Sequence, residues 1–183
     1  MSVVYVNFFS PITEESANKF MAACVNIMRI EKPKAVHFLF ASSGGNVDAG
    51  IAIYNYLRSL PMKIIMHNNG SINSISNVIF HAADERSATP HATFFFHGVT
   101  VPPPTTDLNR ARLHELLKQI DVLESKMSTI LSERCRLTSS ELRDLFTSGE
   151  SKDTQFALDK GLIQSVREVS IPADAKVYSL LLS

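Results

Sequence analysis

The stretch Asn69-Gly70-Ser71-Ile72-Asn73-Ser74-Ile75-Ser76-Asn77-Val78-Ile79-Phe80 decides how this chain is read. A β-type run, Lys63-Ile64-Ile65-Met66-His67, leads into it. Gly70 is expected to supply a turn, and the apolar run that follows reads as a buried helix. A strand that turns sharply into a helix leaves backbone N–H groups at the first helical turn with no intrahelical partner. A serine placed there is a candidate nucleophile, because such N–H groups meet the charge that develops on an attacked carbonyl oxygen. Ser71, Ser74 and Ser76 are the hydroxyls available, and capping or packing would also account for each of them.

Working outward towards the N-terminus, residues 3–8 are β-branched and aromatic and read as a strand. Ser10 as N-cap and Pro11 at the first helical position, followed by Glu14 and Glu15, predict a helix to about residue 30. Phe20, Met21, Cys24, Val25 and Met28 form its apolar stripe. Residues 34–41 are nearly all apolar and predict a second strand buried on both faces, as in a parallel sheet. Ser42-Ser43-Gly44-Gly45-Asn46 follows directly, then a helix over 47–59, which Pro61 ends. The order β-α-β-α-β-α predicts right-handed crossovers and a parallel sheet. Both glycine-containing loops, at Gly44-Gly45 and at Gly70, then fall at carboxyl ends of strands, where sites in such sheets collect.

Towards the C-terminus, residues 92–97 read as a strand that ends in His97. Val101-Pro102-Pro103-Pro104-Thr105-Thr106-Asp107 cannot be helix and predicts a stiff exposed loop. A long helix is expected from Asp107 to about Cys135, with Leu108, Ala111, Leu116, Leu117, Ile120, Leu123, Met127 and Ile130 inward. Thr138 and Glu141 form a capping box for a further helix, which Ser148-Gly149-Glu150 breaks. Asp153 caps a short helix that ends at Gly161, and late strands are expected at 162–163 and 177–182.

The chain of 183 residues suits one domain with a substantial core. Lys and Arg number 18, as do Asp and Glu, and no basic stripe stands out, which argues against nucleic acid as the main partner. Zero net charge leaves little repulsion against self-association. Cys24 and Cys135 are far apart and form no metal-type pair, so both read as reduced thiols. No secretory leader and no membrane-length apolar run are visible, and a cytoplasmic location is expected. No G-x-x-x-x-G-K-[ST] loop is present, so the chain is not expected to hydrolyse ATP itself.

Four segments together resemble the proteolytic subunit of Clp protease, within the wider group of ClpP-like and crotonase-like folds. They are Ser42-Ser43-Gly44-Gly45 before the helix containing Ala49-Gly50-Ile51-Ala52-Ile53-Tyr54, Gly70-Ser71-Ile72-Asn73-Ser74, Pro90-His91-Ala92 leading to Phe96-His97, and Ala157-Leu158-Asp159-Lys160-Gly161-Leu162-Ile163. The resemblance covers about residues 3–166 and rests on the order and spacing of the segments. It implies an α/β fold of the ClpP/crotonase type, a repeated β-β-α spiral with a long protruding helix, in a single domain over 1–183 whose helix at about 107–136 is an oligomerisation handle.

The resemblance further implies a serine peptidase without cofactor or metal. Ser74 is its nucleophile, His97 its base, and the N–H groups of Gly45 and Ile75 its oxyanion hole. Aligning the final helix without gaps puts Gly149 where the family has its acid. Glu150, one residue on, is the candidate third member after a one-residue shift, and Asp153 reads as an N-cap. Substrates are expected to be peptides or unfolded protein, and a homo-oligomeric ring is expected. Docking of the usual ATPase is doubtful. The chain starts almost at its first strand, and Pro102, Pro103 and Pro104 stand where the family has a glycine-rich segment that binds peptide and interlocks rings. Asn73, Ser76 and Ser43 also depart from the family pattern. Two other readings stand beside the peptidase: a non-catalytic ClpP-like subunit, and a crotonase-type acyl-CoA enzyme that uses the two N–H groups without a nucleophilic serine. Ser74 and His97 at family spacing count against the last.

Overall fold

The computed structural model describes residues 2–102 and 108–180. Pro103, Pro104 and the expected helix start at Asp107 lie outside the described residues, as do Leu181 and Leu182 of the last expected strand. The described chain is mixed α/β. Its strands are β1 (Val3–Phe9), β2 (Ala35–Ser42), β3 (Lys63–Asn73), β4 (Glu85–Ala88), β5 (Thr93–Phe96), β6 (Glu150–Lys152), β7 (Ser165–Val166) and β8 (Lys176–Ser179). They form one sheet with the order β6-β5-β3-β2-β1-β8, while β4 pairs with both β3 and β7. Every pairing is parallel except β5 with β6.

The helices are α1 (Glu14–Glu31), α2 (Val47–Ser59), α3 (Ser76–Phe80), α4 (Arg110–Arg134), α5 (Ser139–Ser148) and α6 (Thr154–Asp159). Alternation along the central strands sends Val4, Val6 and Phe8, with Phe38, Phe40 and Met66, into the main core. Phe20 of α1 completes it, stacked on Phe38 at 5.3 Å and edge-on to Phe8 at 5.4 Å. The opposite face carries Tyr5, His37 and His67, so β2 is buried on both sides as the run of apolar residues predicts.

Two expectations need correction at the glycine loops and the first helix. The first helix is capped by Thr13, not Ser10, because Ile12 stays extended to bridge Gly45 in parallel fashion. The Thr13 hydroxyl accepts from the Ser16 N–H at 3.0 Å, and the Ser16 hydroxyl accepts from the Thr13 N–H at 2.8 Å. Gly70 is not a turn between strand and helix. β3 runs on to Asn73, and Gly70 lies where it exchanges one neighbour for another, pairing with β4 over Ile65 to Asn68 and with β5 over Ser71 to Asn73. The strand-to-helix turn comes later, at Ser74.

The long helix is present, but only its C-terminal half packs on the domain. Met127, Ser128 and Leu131 are its buried residues, whereas Leu113 and Leu117 are 47% and 59% exposed. Its first turns are exposed. Strands β4 and β6 were not expected, being short and rich in polar residues, and the late strand β7 begins two residues beyond the expected 162–163. The Thr138–Glu141 capping box and the Asp153 cap form as expected.

Candidate active site

Ser74 occupies the single residue between β3 and the short helical turn that leads into α3, and its φ is +56°. That left-handed conformation costs an L-residue roughly 1–2 kcal/mol and persists only where surrounding contacts dictate it. Here they do. The Ser74 N–H donates to the Phe95 carbonyl at 2.9 Å, and the Ser74 carbonyl accepts the Asn77 N–H at 3.0 Å. The Asn77 side chain, fully buried, donates from Nδ2 to the carbonyls of Ser74 at 3.1 Å and Phe95 at 3.0 Å. A sharp turn of this kind presents the serine hydroxyl at the carboxyl edge of the sheet.

The Gly44-Gly45 loop lies directly against this turn. A Cβ on Gly44 would sit 2.7 Å from Ser74 Cβ and 2.7 Å from the Asn73 carbonyl oxygen, so only glycine allows the approach. Gly45 is fixed by the bridge to Ile12, whose N–H donates to Gly44 O and whose carbonyl accepts from the Asn46 N–H, each at 2.8 Å. That ladder leaves the Gly45 N–H out. Among the described residues, no backbone hydrogen bond uses the N–H of Gly45 or of Ile75. Two donors are therefore available beside the Ser74 hydroxyl, one on each of the two loops.

His97 follows β5, two residues after Phe95, and its half-buried ring stacks on the Phe95 ring at 5.2 Å. Its Nδ1 lies 2.7 Å from the carbonyl oxygen of Gly98. A carbonyl only accepts, so Nδ1 carries the proton and a neutral ring presents Nε2 as an acceptor. The Ser74–Phe95 backbone bond brings serine and imidazole to one corner of the sheet. Among the described residues, no hydrogen bond joins the Ser74 hydroxyl to the His97 ring.

The structure does not bring Glu150 to His97. Glu150 sits directly opposite Phe96 in the antiparallel β5–β6 pair, so it shares the Phe96 face, and His97 points to the other. Its exposed carboxylate binds the Lys152 ammonium, and that hydrogen bond, with a second from Ser148, holds it below the usual carboxylate range. Extending the register by one residue sets Gly149 beside His97, and nothing lies within 4 Å of where a Gly149 Cβ would be. Asp153 caps α6 through a 2.9 Å bond from the Phe156 N–H.

The remaining serines and histidines have other surroundings. The Ser42 hydroxyl accepts from the Gly44 N–H at 3.2 Å and shapes the glycine loop, while Ser76 is fully buried behind the turn. His37, His67 and His81 are buried and His91 and His114 exposed. Cys24 is a free buried thiol, pushed up to about 12 by burial, and Cys135 is free as well. Among the described residues, no group of three His, Cys, Asp or Glu side chains is arranged to hold a metal ion. No helix among them is long and apolar enough to cross a membrane. Asn77 is the residue that sequence reasoning missed. The available signal was an amide directly before the apolar run Val78-Ile79-Phe80, where a buried polar group needs partners.

Comparison with known proteins adds a separate finding. The sequence model described as Clp protease matches residues 2–170. ATP-dependent Clp protease proteolytic subunit 2 of Pseudomonas aeruginosa is 24% identical over 165 residues, covering 87% of this chain and 81% of that protein. Proteolytic subunit 1 of Chlamydia pneumoniae is 27% identical over 172 residues, covering 90% and 88%. Proteolytic subunit 2 of Mycolicibacterium paratuberculosis is 25% identical over 153 residues, covering 80% and 76%.

Proposed function

This chain belongs to the Clp protease family, and from that premise we propose that it is a serine peptidase in which Ser74 attacks a peptide carbonyl and His97 moves the proton. The observation that carries the reading is the left-handed turn at Ser74, set between two unused N–H donors and beside a histidine whose Nε2 is free to accept. The Ser74 hydroxyl gives its proton to His97 Nε2 as the Oγ–carbon bond forms, and the N–H groups of Gly45 and Ile75 receive the oxyanion. The imidazolium then protonates the departing amine as the carbon–nitrogen bond breaks. Water releases the acyl group by the same steps in reverse. The Ser74–His97 hydrogen bond forms in the substrate complex, since catalytic hydrogen bonds commonly tighten only there.

The substrates proposed are peptides and unstructured protein segments. The relatives are named ATP-dependent; this chain has no phosphate-binding loop of its own, and we assign it cleavage of unstructured peptides, which need no ATP-driven unfolding. Self-association into a ring is supported by the exposed leucines of α4, for which the domain itself offers no cover. A second reading, a non-catalytic subunit, is favoured by one observation: Glu150 faces away from His97 and Gly149 offers no carboxylate.

Labelling with a fluorophosphonate probe, read by intact mass, tests the proposal on wild type, Ser74→Ala and His97→Ala. One adduct on wild type, lost in both variants, is the expected result. No adduct under conditions that label a control serine hydrolase would overturn it in favour of the non-catalytic subunit.

A further inference from the structure

The Gly98–Val99 peptide unit is hydrogen-bonded at both ends. Its carbonyl oxygen accepts the His97 Nδ1–H at 2.7 Å, and its N–H, that of Val99, donates to Glu124 Oε1 at 2.9 Å. Glu124 belongs to the half of α4 that packs on the domain and is itself half-buried. Among the described residues, none of the ion pairs engages its carboxylate. The approach is close: a Cβ on Gly98 would lie 2.9 Å from Glu124 Oε1.

We propose that Glu124 is the acidic positioning residue of this site, acting on His97 through the Gly98–Val99 peptide. The inference rests on the peptidase reading only for its consequence in catalysis. A carboxylate accepting an amide N–H polarises that amide and makes its carbonyl oxygen a stronger acceptor. The oxygen so strengthened is the one that fixes the His97 tautomer, and it steadies the imidazolium that forms when Nε2 takes the serine proton. Both bonds lie along one rigid planar group, so the carboxylate also sets the ring's orientation. The relay accounts for a site that has no carboxylate in direct contact with its histidine. It also gives the long helix a role at the reaction centre in addition to its exposed end.

The test compares wild type with Glu124→Gln, Glu124→Ala and Gly98→Ala by two readouts. One is the rate of fluorophosphonate labelling. The other is the His97 Nδ1–H proton resonance in protein labelled with ¹⁵N-histidine, identified by its loss in His97→Ala. Glu124→Gln keeps an acceptor for Val99 but removes the charge, and it is expected to shift the resonance upfield and slow labelling roughly tenfold. Glu124→Ala removes both, and is expected to slow labelling further. Gly98→Ala leaves the carboxylate in the chain but displaces it from Val99, and is expected to match Glu124→Ala. It serves as the second variant if a Glu124 substitution prevents folding. An unchanged resonance and rate in Glu124→Gln, or in Gly98→Ala, would reduce Glu124 to a staple of the loop and overturn the proposal. If wild type is not labelled at all, the peptidase reading fails, and the relay then stands or falls on the resonance alone.

Discussion

The side-chain amide of Asn77 reaches back to the carbonyl oxygen of Ser74, 3.1 Å away, and to that of Phe95, 3.0 Å away. One buried group thus ties the turn to the strand that carries His97. Asn77→Leu keeps the branched side-chain shape but removes both amide hydrogen bonds, while each carbonyl keeps its backbone partner. It is expected to destabilise the fold by about 1–3 kcal/mol in urea unfolding, the usual net worth of two lost hydrogen bonds. Ser74 labelling is expected to fall more than stability does, because the φ of +56° at Ser74 loses its restraint.

The open space at Gly149, one residue beyond the β5–β6 pairing, can be tested directly. Gly149→Asp places a carboxylate at the position that extends the register to His97, where nothing lies within 4 Å of the new Cβ. The φ of +64° there is one that Asp tolerates better than most residues. Labelling of Ser74 is expected to accelerate by an order of magnitude or more, since an acid on the histidine can be worth about 10⁴ in rate. Glu150→Gln is expected to leave the rate unchanged. A slower Glu150→Gln variant would restore Glu150 to the site.

Buried neutral histidines set the response to acid. Burial lowers His37 and His67 to about 4 each, with the Arg167 charge adding to both, and lowers His81 to about 3. Their imidazoles in the unfolded chain protonate near the ordinary value of about 6.5. Between the two values the unfolded state binds more protons, so stability is full above about pH 6.5 and falls as pH drops towards 4. Each histidine contributes on the order of 1–3 kcal/mol to that loss. Urea midpoints measured across this range check the slope, and His37→Phe, which removes one titrating ring from beside Tyr5, is expected to flatten it.

The exposed stripe of α4 bears on assembly. Leu113 and Leu117 are 47% and 59% exposed in the single chain, an arrangement that favours burial against another surface. Leu113→Asp with Leu117→Asp is expected to lower the solution mass measured by sedimentation while leaving the far-ultraviolet circular dichroism unchanged. A wild-type monomer at micromolar concentration would refute the ring.

The local elements were legible in the sequence, because each is governed by neighbours a few residues away. The helix over 47–59, the Thr138–Glu141 box and the Asp153 cap follow from hydrogen bonds that close within one turn. The doubly buried β2 follows from its nearly all-apolar run. The start of α1 was misplaced because Ile12 answers to Gly45, a residue distant in sequence.

The sequence by itself determined the α/β class and the β-α-β-α-β-α order of the first elements, which depend on periodicity and on glycine and proline, signals that act locally. The pairing of Ser74 with His97 came from the family resemblance. Only the tertiary structure decided which carboxylate meets the peptide that follows His97. Glu150 is adjacent to the expected acid position in sequence, but strand pairing assigns it to the wrong face of the sheet. Glu124 is remote in sequence and comes within reach because α4 packs across the peptide that follows His97. Strand register and helix packing are non-local, and a shift of one residue in either exchanges the side chains that meet.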